Sequence, residues 1–138
     1  MDFKLELVLI PVSDVDRAKT FYTEQAGFKL DVDTQIGDMR IVQVTPAGSA
    51  CSVGFGTGLT AAAPGSAQGL HLVVSDIVAA RAELVGRGAE VGEVRHMVSG
   101  NWVAGPHPER GSYESFAHFS DPDGNSWVLQ EVRRAPEA

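Results

Sequence analysis

The sequence predicts an α+β fold in which two βαβββ modules, each a sheet with one helix on one face, curl into a mixed sheet around a cavity. Three observations carry this expectation. Val12-Ser13-Asp14 opens one segment, and Val74-Ser75-Asp76 opens another 62 residues later. Ile10 with Leu72, Val15 with Ile77 and Ala18 with Ala80 repeat at the same offset. Both segments run from an apolar strand through an aspartate and a short helix to a glycine, Gly27 or Gly88, and into another strand. An internal repeat of this size marks two copies of one supersecondary unit, neither of which closes a core alone.

The elements follow in order. Leu5 to Val12 is almost wholly apolar and predicts a buried strand. Ser13 and Asp14 are N-cap residues, and Val15, Ala18, Phe21 and Tyr22 give the helix one apolar face, with core as the role for at least one of the two aromatics. Gly27 suits the C-terminal end. Phe28 to Val32 and Arg40 to Thr45 predict strands around a turn at Ile36-Gly37-Asp38, and Ala50 to Phe55 a fourth strand after the turn Pro46-Ala47-Gly48-Ser49. The small residues of Gly56 to Gly69 form the expected linker, so the modules span about 4–56 and 70–132 within one domain. Leu70 to Val74 opens the second module. Asp76 caps a helix with Ile77, Ala80, Leu84 and Val85 on one face, ended by Gly86 and Gly88. Ala89 to Val94 predicts a strand, and His96 to Ser112, with Trp102 and three prolyl and histidyl positions at 106–108, a long irregular loop. Tyr113 to Phe119 and Ser126 to Val132 predict the last strands around the turn Asp121-Pro122-Asp123-Gly124-Asn125. Arg133 to Ala138 predicts a frayed tail.

Composition narrows the function. The 138 residues carry a net charge of −7, which argues against nucleic acid and against an anionic membrane surface. No apolar run approaches the ~20 residues of a membrane helix. Met1-Asp2-Phe3-Lys4 lacks the residue order of a signal peptide, and the single cysteine, Cys51, suits a reducing compartment, so a cytoplasmic protein is expected.

Ile10-Pro11-Val12-Ser13-Asp14, Arg17-Ala18, Phe21-Tyr22, Gly27-Phe28 and Asp121-Pro122-Asp123-Gly124-Asn125 together resemble the vicinal oxygen chelate superfamily. That superfamily includes glyoxalase I, bleomycin-resistance proteins, extradiol dioxygenases and fosfomycin-resistance enzymes. The resemblance implies the glyoxalase/bleomycin-resistance fold and a homodimer. It also implies where metal ligands stand in the family's enzymes: seven residues before the motif aspartate and four after the turn glycine. Here those places hold Leu7, Gly69, Val128 and Ser52. Three of these side chains offer no lone pair, and a serine hydroxyl is a poor ligand for zinc- or iron-type ions. The expectation is no metal, no cofactor and none of the usual glyoxalase or dioxygenase chemistry.

Residues two apart on a strand share a face. Leu9 therefore faces the cavity with Leu7, His71 with Gly69, and Ser126 and Gln130 with Val128. His71 is the candidate acid or base, and Gln130 can hold a carbonyl or amide. Trp102, Tyr113 and Phe55 are candidates to stack on a flat ligand, with core packing the favoured role for Phe55, while Phe119 and Trp127 are expected to pack beneath the helices. His118 is expected at the sheet surface, His107 in solvated loop, and Glu131 on the outer face, solvated or paired. A metal site relocated to two of His96, His107 and His118 with Glu114 follows no known ligand spacing.

The ligand-binding set is then Leu7, Leu9, Ser52, His71, Trp102, Tyr113, Val128 and Gln130. The leading expectation is metal-independent binding of a small hydrophobic or aromatic molecule, in the manner of the family's antibiotic-binding resistance proteins. A glyoxalase-like lyase, isomerase or dioxygenase using His71, or relocated metal ligands, is the alternative. A structural or regulatory partner, with the cavity filled by side chains, is a third.

Overall fold

The computed structural model describes residues 1–133 and shows an α+β protein with two mixed sheets. The expected frayed tail lies, beyond Arg133, outside the described residues. The chain forms two compact units. One comprises Met1–Gln68 and Asp121–Asn125, the other Gly69–Ser120 and the chain from Ser126.

The first unit runs β1 (Leu7–Leu9), α1 (Val15–Thr20), β2 (Lys29–Ile36), β3 (Met39–Thr45) and β4 (Ser52–Thr57), in the sheet order β1-β4-β3-β2. Asp14 caps α1 by accepting a hydrogen bond from the Arg17 N–H at 3.0 Å. α1 continues into a π-helical turn over Phe21–Gln25. The extra residue in that turn lets two adjacent side chains, Phe21 and Tyr22, both point inward, and both are buried. They pack with Phe28 and Phe55 over Val42, Val44 and Val53, the apolar face of the sheet. The buried Tyr22 hydroxyl donates to Asp121 at 2.7 Å, and Asn125 donates to Asp121 and to the Pro11 carbonyl. The turn 121–125, read in sequence as part of the second module, thus packs within the first unit. Gly65 allows this: a Cβ there would meet the Asp123 carbonyl oxygen at 2.1 Å.

The second unit runs β5 (Leu70–Val74), α2 (Ile77–Gly86), β6 (Arg95–Val98), β7 (Asn101–Ala104), β8 (Ser115–Ser120) and β9 (Ser126–Glu131), in the order β5-β9-β8-β6-β7. Asp76 caps α2 as Asp14 caps α1, accepting from the Ala79 N–H at 3.2 Å. Phe119 and Trp127 stack with centroids 6.1 Å apart, buried beside Ala117 and Leu129.

Two expectations are corrected here. The loop at 96–112 contains a β6–β7 hairpin, so this sheet has five strands rather than four. Its two-residue turn places Ser99 at φ 50° and Gly100 at φ 81°, the left-handed pair that matches hairpin twist. Ala89 to Val94 is not a strand. β6 occupies the position beside β8, and the preceding segment makes only one bridge, Val91 to Phe119.

Glu131 stands on the face opposite Val128, as expected, and is paired rather than solvated, but that face is covered and Glu131 is fully buried. It accepts from Arg110 at 2.7 and 2.9 Å and from the Ile77 N–H at 2.9 Å. The Arg110 guanidinium, the largest influence, holds its carboxyl down at about 2.

Candidate functional site

Each sheet has one face packed on its helix and one open face. On the open face of the first sheet, Leu7 pairs with Ser52 and Leu9 with Gly54. Leu9 is exposed and Leu7 half-buried, and both leucine tips lie over Gly54, where no side chain intervenes. The Ser52 hydroxyl is 2.6 Å from that of Thr45, which in turn bonds Asp31. This face is aliphatic and hydroxylic.

The open face of the second sheet is aromatic and ionisable. One row across it runs His71, Val128, His118, and the next runs Val73, Gln130, Phe116, Arg95, Ala104. His71, Val128 and Gln130 therefore share a face, as strand alternation requires. The His71 Nδ1 sits 2.6 Å from the Gly69 carbonyl oxygen, which can only accept, so Nδ1 donates to it, and in the neutral ring the lone pair is on Nε2.

Trp102 stands on strand β7, not in irregular loop, and is 41% exposed. Its ring meets Phe116 at 5.6 Å and His118 at 6.1 Å, edge to face. The Arg95 guanidinium lies 4.2 Å from the Trp102 ring centroid, and its Nη2 is 3.4 Å from His118 Nδ1. A groove of about 430 Å³ is lined by Arg95, Trp102, Ala104 and His118 with Gly92 and Glu93. Burial first, then the charges of Arg95 and His71, push His118 below the ordinary imidazole range. Tyr113 stands off the strand, in left-handed backbone at φ 65°, with its side chain exposed.

Sequence reasoning missed Arg95, Phe116 and the open-face position of His118. The signal was present for the last two. Pairing β8 and β9 around the turn places Ser120 opposite Ser126, and so His118 opposite Val128. Arg95 depended on the unrecognised hairpin.

The four places where the resemblance puts metal ligands do not fit a divalent ion. Leu7 and Val128 carry hydrocarbon, Gly69 carries nothing, and the Ser52 hydroxyl is engaged with Thr45. Among the described residues no three His, Cys, Asp or Glu side chains gather where they could hold a metal ion. His107 is half-buried rather than solvated. Its ring meets His96 at 5.5 Å, and its Nδ1 lies 3.1 Å from Glu114.

Among the described residues no helix is long and apolar enough to cross a membrane. Comparison with solved structures finds TnmS3, an antibiotic binding protein from Streptomyces sp. CB03234. It is 34% identical over 95% of this chain and 97% of that one, with a TM-score of 0.74. A glyoxalase/bleomycin resistance protein from the same Streptomyces is 35% identical over 92% of this chain and 99% of that one, TM-score 0.71. A superfamily member from Sphaerobacter thermophilus DSM 20745 is 27% identical over 94% and 98%, TM-score 0.68. No curated protein matches the chain. The family model described as the Glyoxalase/Bleomycin resistance protein/Dioxygenase superfamily matches residues 4–129. The aspartate-capped repeat, the two mixed sheets and these matches agree, and the chain belongs to that superfamily.

Proposed function

We propose that this protein binds a small hydrophobic or aromatic molecule without a metal, and that holding the molecule is its function, as in resistance by sequestration. The observation that carries this is the open face of the second sheet. Trp102 and His118 line a groove of drug-like size, Phe116 meets Trp102 edge to face, and Gln130 and His71 are polar groups on the same sheet face. Leu7, Leu9 and Ser52 supply further apolar and hydroxyl surface on the open face of the first sheet, Tyr113 is an exposed ring available to a ligand, and Val128, expected in the binding set, is instead buried beneath the second open face. The likeness to an antibiotic binding protein at 34% identity supports the reading, as does the unsuitability of Leu7, Ser52, Gly69 and Val128 for a metal. The protein acts as a homodimer in the cytoplasm.

The test is calorimetric titration with bleomycin and a panel of aromatic antibiotics, with and without EDTA. Saturable binding unchanged by EDTA is expected, with the drug recovered chemically intact and the W102A variant weaker by about tenfold. Binding that requires added metal, or none across the panel, overturns the proposal.

One observation favours a second reading. The fixed Nδ1–H tautomer leaves His71 Nε2 free as a base, the arrangement a metal-free lyase or isomerase would use. H71A separates the two. Loss of all turnover of a bound compound supports catalysis, whereas a change in affinity of only about threefold supports binding alone.

A further inference from the structure

Arg95 is the one arginine among the described residues with neither a carboxylate nor a backbone carbonyl to bind. Arg17, Arg40, Arg87, Arg110 and Arg133 pair with acidic side chains, and Arg81 donates to the carbonyls of Val91 and Gly92. In a chain with 18 acidic and 11 basic residues, an arginine without an acidic partner stands out. Arg95 is also half-buried, so part of its hydration has been given up. What it receives is the face of Trp102 and the neutral Nδ1 of His118, which together satisfy little of a fork with five N–H donors. Glu93 lines the same groove, but it is exposed and makes no ion pair with Arg95.

We propose, on the strength of the binding function above, that the Arg95 groove takes a planar aromatic anion, an aryl carboxylate. The ring lies against Trp102, and the carboxylate completes the unfilled side of the Arg95 guanidinium. His118 accepts from Arg95 at Nδ1, so its proton resides on Nε2, a second donor for the anion. The depressed basicity of His118 keeps this arrangement neutral near pH 7. The groove's lining carries one cation, the half-buried Arg95, and one anion, the exposed Glu93, so a bound carboxylate meets Arg95 in less water than it meets Glu93.

The experiment compares 2-naphthoate with the neutral, nearly isosteric 2-naphthamide by calorimetry on wild type, R95Q and R95K. Wild type should prefer the carboxylate by about tenfold, with the preference shrinking as salt rises. R95Q should bind both probes equally, with a circular dichroism spectrum and urea midpoint like those of wild type showing that it is folded. R95K should keep part of the preference, because a point charge replaces the planar fork. If wild type binds both equally, or R95Q keeps the full preference, the anion site is overturned and aromatic binding survives. If neither probe binds at any salt concentration, the anion site falls together with the proposed binding face.

Discussion

The two units are near copies at their helix starts and unlike on their open faces. Asp14 holds its cap at φ −133°, ψ 107°, and Asp76 at φ −138°, ψ 102°. Each accepts from the N–H three residues on. In both, a first strand pairs in parallel with the last strand of its sheet, β1 with β4 and β5 with β9. Yet one open face is Leu7, Leu9, Gly54 and Ser52, and the other is His71, His118, Phe116, Trp102 and Arg95. The difference teaches where a repeat is free to change. A cap and an apolar strand have few chemical solutions. An open sheet face carries no folding requirement beyond alternation, so it can become an aliphatic wall in one copy and an aromatic, cationic groove in the other.

The units also anchor their buried acids differently, and this gives the largest expected effect. Glu131 meets a guanidinium, whereas Asp121 meets neutral donors, the Tyr22 hydroxyl and the Asn125 amide. R110M leaves the Glu131 carboxylate with the Ile77 N–H at 2.9 Å and Arg133 at 3.6 Å, and should lower the urea midpoint at pH 7 more than any other variant considered. The sign of the pH dependence follows. Glu131 is depressed to about 2 from 4.5, so its stabilisation is complete above pH 4.5 and lost as pH falls toward 2. The gap between wild type and R110M should narrow over that window. A gap unchanged at pH 3 would show that the pair contributes little.

Y22F removes one buried hydrogen bond to Asp121 without opening a cavity and should cost about 2 kcal/mol. A loss as large as that of R110M would erase the contrast between neutral and charged anchoring. The smallest effects test the equivalence of the repeats. D14A and D76A should each cost about 1 kcal/mol. D76A should cost slightly more, because Asp76 also lies 3.2 Å from Arg110. A D14A cost well above that of D76A would mean that the two caps are not equivalent.

Much of this was legible because it is local. The caps, Gly27 and Gly88 in left-handed backbone, and β5 over Leu70–Val74 each depend on a few adjacent residues. The hairpin of β6 and β7 was readable in principle from Ser99-Gly100, but the prolines and histidines beyond it gave the segment the look of a loop. The burial of Glu131 was not legible, because period-two alternation gives a face and not an environment. The face was correct, being the one opposite Val128, but it turned out to be buried against α2 with Arg110 reaching in from a distant loop.

The sequence by itself determined the twofold strand–aspartate–helix plan, the closing turn and the absence of metal-ligating side chains at Leu7, Ser52, Gly69 and Val128, since these follow from residue type and short spacing. Only the tertiary structure decided which groups meet across strands. His71, Val128 and His118 fall in one row, and Arg95 lies over Trp102 beside His118. Such meetings depend on sheet order and register, which join residues far apart in the chain; burial then depresses His118, and the Arg110 guanidinium holds Glu131 ionised.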